Sequence, residues 1–134
     1  MLTPPLKILR DALRFAGDND LDAAIVVLSH GIALCEREPE HLAVLPRLTS
    51  NLGLFYRRLG RTEQAISAVR RSLLLCPDDR SLLHFLADLL LESGDTSGAA
   101  LVAVELRAVC ERNPATFTAD WAEALSLLER RITS

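Results

Sequence analysis

Aromatic side chains are scarce in this sequence: they make up 4% of it, with one Trp and one Tyr. Any core is therefore aliphatic. Lysine is scarcer still. Lys7 is the only one, so nearly all the positive charge is arginine, a bias that reads as the codon usage of a GC-rich bacterial genome. No stretch reaches the ~20 consecutive apolar residues that a membrane helix needs. The opening segment MLTPPLKILR has two prolines and lacks the apolar run of a secretory signal. These absences predict a soluble cytoplasmic chain with no membrane insertion. Cys35, Cys76 and Cys110 are odd in number and widely spaced, which is no disulfide framework. No C-x-x-C occurs, and His30, His41 and His84 show no zinc-ligand spacing with the cysteines. The cysteines are expected to be small buried residues near helix ends. No metal and no cofactor is expected.

Alternating apolar and polar runs are also missing, which argues against half-buried strands. Apolar residues still make up 49% of the 134. Leu and Ala dominate, and both favour helices. The class expected is all-α in a single domain, with length enough to bury a sizeable core. The net charge is −3, where a nucleic-acid binder shows a basic stripe; no nucleic acid is expected. No Gly-rich phosphate loop, paired-carboxylate site or nucleophile elbow appears, so the chain is expected not to be an enzyme.

What the sequence does contain is punctuation. In NLGLFYRRLGRTEQAISAVRRSLLLCP, Leu52, Tyr56 and Leu59 share one helical face. Gly60 ends that helix as a left-handed cap. Thr62 restarts the chain as a second helix, with Glu63 in its first turn where the dipole favours a carboxylate. Ala65, Val69, Ser72 and Leu73 line one face of that helix, and Pro77 ends it. Gly53 and Ala65 are small where two antiparallel helices meet. Shifting by 34 places Gly60 on Gly94, Ala65 on Ala99, Gly53 on Ala87, Leu52 on Leu86 and Tyr56 on Leu90. A hairpin repeating at this period, with small residues at these places, resembles the tetratricopeptide repeat. Segment 46–79 holds most of that signature in Leu52, Gly53, Tyr56, Gly60, Ala65, Ser72 and Pro77. Segment 80–113 resembles a second copy.

A further copy lies upstream. Cys35-Glu36-Arg37-Glu38-Pro39 matches Cys110-Glu111-Arg112-Asn113-Pro114 at an offset of 75. In both, the second helix runs one turn longer than in the middle copy. Asn19 is expected in the turn role of Gly60, since Asn tolerates left-handed backbone. The partner helix, 4–16, is capped by Thr3 with Pro4 at its first position, and Ala12 and Phe15 are its contacts. At PEHLAVLPRL two readings stand. Either a helix starts at Pro46 after a loop, or a long helix from about Glu40 kinks there; the 41 residues from Ala24 to Ala65 favour the long form. At the other end Phe117, Trp121, Leu125, Leu128 and Ile132 form one stripe. Asp120 and Glu123 read as its capping box, and this helix suits the cap that a repeat stack needs.

The expectation is thus a right-handed α-solenoid of three hairpins (4–41, 42–79, 80–113) and a capping helix, 115–132: seven helices in one domain. The resemblance implies a concave face lined by the first helix of each hairpin, where a peptide or helix of a partner protein binds. By spacing, that face carries Arg47, Ser50, Leu54, Arg57 and Arg58 on one helix and Ser81, His84, Asp88, Leu91 and Glu92 on the next. Leu6, Leu9 and Leu13 would be the first helix's share, and Trp121, Leu125 and Leu128 the last's. The leucines are equally readable as core. In FYRRLGR, Arg57, Arg58 and Arg61 suit an anion or an acidic peptide, and equally a solvated helix end. The leading function is a non-catalytic interaction scaffold. The alternatives are a homodimer through the apolar Trp121, Leu125 and Leu128 face, and an accessory domain of a larger enzyme or secretion complex.

Overall fold

A computed structural model describes residues 2–134. Among them lie seven α-helices: α1 Pro4–Gly17, α2 Leu21–Arg37, α3 Leu45–Arg58, α4 Thr62–Leu75, α5 Arg80–Glu92, α6 Thr96–Arg112 and α7 Ala119–Thr133. No strand occurs among the described residues. No helix among them is long and apolar enough to cross a membrane. The chain divides into two compact units, Met1–Cys76 and Pro77–Ser134.

Three tight turns carry the left-handed backbone that the punctuation predicts. Asn19, Gly60 and Gly94 have φ of 62°, 73° and 88°. In each the next residue's N–H closes the turn, as Arg61 N–H does onto the Tyr56 carbonyl at 2.8 Å. The longer second helices are there too: α2 and α6 each have 17 residues against 14 in α4. Proline follows each of them within two residues, because it cannot donate to the helical ladder.

Helix starts differ from the reading in two places. Thr62 is the first residue of α4 and not its cap; the N-cap is Arg61, with no side-chain hydrogen bond. Asp120 lies inside the first turn of α7, and Thr118 caps it by accepting from Trp121 N–H at 3.3 Å. The sequence reading missed Asp20, Asp79 and Asp95, whose carboxylates accept from the N–H three residues on and cap α2, α5 and α6. Each such cap contributes about 1 kcal/mol.

The 39–58 junction combines both readings. Pro39–Val44 is a 3₁₀ helix that passes straight into α3, with Pro46 at the second α-helical position. Pro46 needs no N–H there, so it starts a helix rather than kinking one.

In unit 1, Leu9, Leu28, Leu45, Leu48, Leu52 and Phe55 form a mainly aliphatic core, with Ala12 and Ala24 fully enclosed. Each large side chain so buried contributes roughly 1.5–3 kcal/mol. The closest approach is at Gly31: a Cβ there would sit 2.8 Å from Ile8 of α1 and 3.2 Å from Leu48 of α3. Among the described residues Thr49 and Ser72 are the buried polar side chains, and they hydrogen-bond each other between α3 and α4. Phe15 is 38% exposed and Leu59 likewise 38%, so neither is the core contact expected of it. Phe15 sits in the last turn of α1 and Leu59 is the C-cap residue of α3. Cys35 and Cys110 are buried and Cys76 half-buried, all as free thiols. Burial pushes the Cys35 thiol up.

In unit 2, α5 and α6 form a hairpin, and α7 packs on both. Leu82, Leu86, Leu89, Leu106, Leu125 and Leu128 are its core. Arg107 forks onto the Glu129 carboxylate at 2.9 and 2.6 Å and so ties α6 to α7.

Candidate functional site

The predicted contact residues fall into two sets, one in each unit. In unit 1, Arg47 and Arg58 are exposed on α3, and Ser50, Leu54 and Arg57 are half-buried. The Arg58 guanidinium lies 5.7 Å from the centre of the Phe55 ring, on its own helix. On α1, Leu9 is core, while Leu13 is 47% exposed.

In unit 2 the geometry is more specific. Ser81 and His84 stand one turn apart on α5 and face the start of α7. There they meet Asp120, Trp121 and Ala124 around a cavity of about 290 Å³. The His84 ring meets Trp121 edge-to-face, with centroids 6.2 Å apart and planes at 74°. This is a favoured arrangement for aromatic quadrupoles. Arg80 lies 5.2 Å from the Trp121 ring centre in a cation–π contact. Its Nη1 also donates to the Thr116 carbonyl at 2.8 Å, which holds the guanidinium in place. One turn on from His84, Asp88 is 3.5 Å from Nδ1 and accepts from Arg131 at 2.6 Å. That carboxylate is mostly enclosed, with its side chain 22% exposed, so Arg131 offsets its desolvation.

The site therefore draws Ser81, His84 and Asp88 from one expected surface and Trp121 from the other. Leu125 and Leu128 do not join it. They are 0% and 1% exposed, covered by their own unit. The expected apolar interface is corrected at these two residues: Leu125 and Leu128, in the middle of the α7 stripe, face inward, while Phe117, Trp121 and Ile132 towards its ends are half-buried. Arg80 and Asp120 were not picked out as site residues by the sequence reading. The signal available was Arg80 at the first position of a helix whose partner helix carries the sole Trp.

Chemically the pocket is built for contact. It offers an aromatic face, a hydroxyl, an imidazole and an exposed carboxylate. No hydrogen bond joins Ser81 to His84, and Asp88 is held by Arg131. Near the 3₁₀ segment of unit 1, Glu38, Glu40 and His41 bring one ligand atom each within 4.8 Å of one another. A 3.2 Å contact between Glu38 and His41 Nε2 accounts for two of the three.

Residues 46–89 match the family model of the tetratricopeptide repeat. That segment of the chain carries a tetratricopeptide repeat. The match begins where the sequence reading starts its central copy and runs through α3, α4 and most of α5. No curated protein matches the chain by sequence. Among solved structures, PcrH from Pseudomonas aeruginosa aligns with a TM-score of 0.74 at 20% identity, over 100% of this chain and 96% of PcrH. PcrH in complex with the chaperone binding region of PopD aligns at 0.69 and 23% identity, over 95% of this chain and 90% of that one. The Cut9–Hcn1 hetero-tetramer of the APC/C aligns at 0.70 and 22% identity, over 97% of this chain but 23% of the other. At these identities the likeness is one of fold. The repeat protein has the all-α hairpin architecture expected of its sequence.

Proposed function

We propose that this tetratricopeptide-repeat chain is a non-catalytic interaction module that binds a polypeptide segment of a partner protein, with the α5/α7 pocket of unit 2 seating one of its side chains. The observation that carries this reading is the Trp121 pocket itself. An aromatic ring is held between a pinned Arg80 and the edge of His84, and it is left partly open. Trp and Arg are the side chains that most often dominate the energetics of protein interfaces. Support by analogy comes from PcrH, which shares the fold and has been crystallised with the chaperone binding regions of PopD and PopB. A net charge of −3 favours a polypeptide over a nucleic acid as the partner. On this reading the α3 surface of Arg47, Ser50, Leu54, Arg57 and Arg58 is a contact set of unit 1 in its own right. The bacterial and cytoplasmic setting read from composition belongs to the same proposal; free thiols persist in a reducing compartment.

Trp121 is the sole tryptophan, so its emission reports this pocket alone. A displayed dodecapeptide library selected on the full chain, with Trp121→Ala as counter-selection, supplies the probes. The expected outcome is peptides that shift Trp121 emission saturably and bind His84→Ala at least about thirtyfold more weakly, the ~2 kcal/mol of an interface hot spot. Selected peptides that bind Trp121→Ala as tightly as the parent would overturn the reading. Arg57→Ala with Arg58→Ala tests the α3 set against the same peptides; unchanged affinity removes it.

A further inference from the structure

A second cavity, of about 420 Å³, lies in unit 1 between α2 and α4. The two helices line it with matching rows. Ser29, Ala33 and Glu36 stand on α2, and Gln64, Ala68 and Arg71 stand on α4, each 35 residues further along the chain. Each row spans two helical turns, a length of about 10 Å. Leu52 and Tyr56 of α3, one turn apart, line it from behind. One end is tied shut. Arg71 donates from Nε and Nη2 to the two carboxylate oxygens of Glu36, both at 2.6 Å. The pair satisfies itself and offers no charge to a ligand.

The other end is different. Glu63, in the first turn of α4, is exposed and has no ionic partner among the described residues. The cation of the α3–α4 turn, Arg61, lies 3.8 Å from Asp22, which partners it in place of Glu63. Tyr56 belongs to the same end, since the turn joining α3 to α4 follows it directly. The cleft thus has an apolar length, an aromatic ring and one unpaired carboxylate, in that order. Such a sequence complements a side chain with an aliphatic stem and a cationic head.

We infer that this cleft receives an arginine side chain of a partner polypeptide. The stem lies along Leu52 and Ala68, and the guanidinium stacks on Tyr56 and forks onto Glu63. Arginine fits better than lysine, because a planar guanidinium can stack and fork at once. This site is separate from the α5/α7 pocket and does not depend on it.

The test is an amide chemical-shift titration of the full chain with Nα-acetyl-arginine N-methylamide, and with the norleucine compound of the same caps. Saturable shifts are expected at Gln64, Ser67 and Ala68, with norleucine about threefold to fivefold weaker, the range of an exposed ion pair. Glu63→Gln, at an exposed position that leaves the fold intact, should bring arginine down to the norleucine affinity. Equal affinity for the two compounds, an unchanged arginine affinity in Glu63→Gln, or shifts that fall outside the cleft would each overturn the assignment.

Discussion

The same substitution, glycine to alanine, should change the stability of this protein in opposite directions at positions that differ in one physical respect. At Gly60 and at Gly17 an added Cβ meets nothing within 4 Å. Gly60, however, has φ of +73°, whereas Gly17 ends α1 outside the left-handed region. An L-residue in left-handed backbone costs about 1–2 kcal/mol. Alanine also restricts the unfolded chain, which recovers about 0.4–1 kcal/mol where the native φ is ordinary. Gly60→Ala should therefore lose about 0.5–1.5 kcal/mol, and Gly17→Ala should gain about 0.5 kcal/mol. Gly31→Ala separates the steric effect from the conformational one. Its backbone is ordinary helix, but its Cβ would stand 2.8 Å from Ile8 and 3.2 Å from Leu48; overpacking of this kind costs about 1–3 kcal/mol. Thermal and urea denaturation followed by far-ultraviolet circular dichroism reads all three. A loss of 1 kcal/mol appears as roughly 4 °C in Tm for a chain of this size. If Gly60→Ala and Gly17→Ala moved stability in the same direction, the claim that Gly60 acts through its backbone angle would be refuted.

Two other outcomes follow from packing and charge. Leu128→Ala should cost about 2–4 kcal/mol as a core truncation, while Trp121→Ser at the half-open pocket should cost clearly less. Urea denaturation compares them, and equal losses would contradict the burial of the α7 stripe. Hydrogen bonds from Arg107 hold the Glu129 carboxyl below its ordinary value of 4.5, against a smaller opposing effect of burial. The folded value being the lower one, this pair stabilises above pH 4.5 and the contribution fades as pH falls through the folded value. Both side chains are more than a third exposed, at 41% and 36%, so screening keeps the effect under about 1 kcal/mol. Glu129→Gln should flatten that part of the stability–pH curve; an unaltered curve would show that the pair contributes nothing.

Much of the scaffold is legible in the chain because helix turns are local events. Gly60, Gly94 and Asn19 declare left-handed positions through their own side chains, or lack of one. The extra turn of α2 and α6 follows from where proline permits the ladder to end. Caps were less legible, since Asp20, Asp79 and Asp95 are recognisable only once the first helical residue is known. At 39–46 two readings stood side by side, because a 3₁₀ segment leading into an α-helix is neither a plain loop nor a longer α-helix. Gly31 escaped for another reason: what crowds it comes from α1 and α3, and no local pattern records that.

The candidate site divides in the same way. Helical spacing alone set Ser81, His84 and Asp88 on one face of α5, and it set Trp121, Leu125 and Leu128 on one face of α7. Spacing could not say which side of that stripe met water. Packing on α5 and α6 decided it, enclosing the two leucines and leaving Trp121 half-open beside His84 and Arg80. The pairing of Glu36 with Arg71 needed the fold as well, since the partners are 35 residues apart in the chain. The sequence by itself determined the helices and their turns, because these depend on residues within a few positions of one another. Only the tertiary structure decided which polar groups stand unpaired at a cavity, because that depends on what the other helices cover.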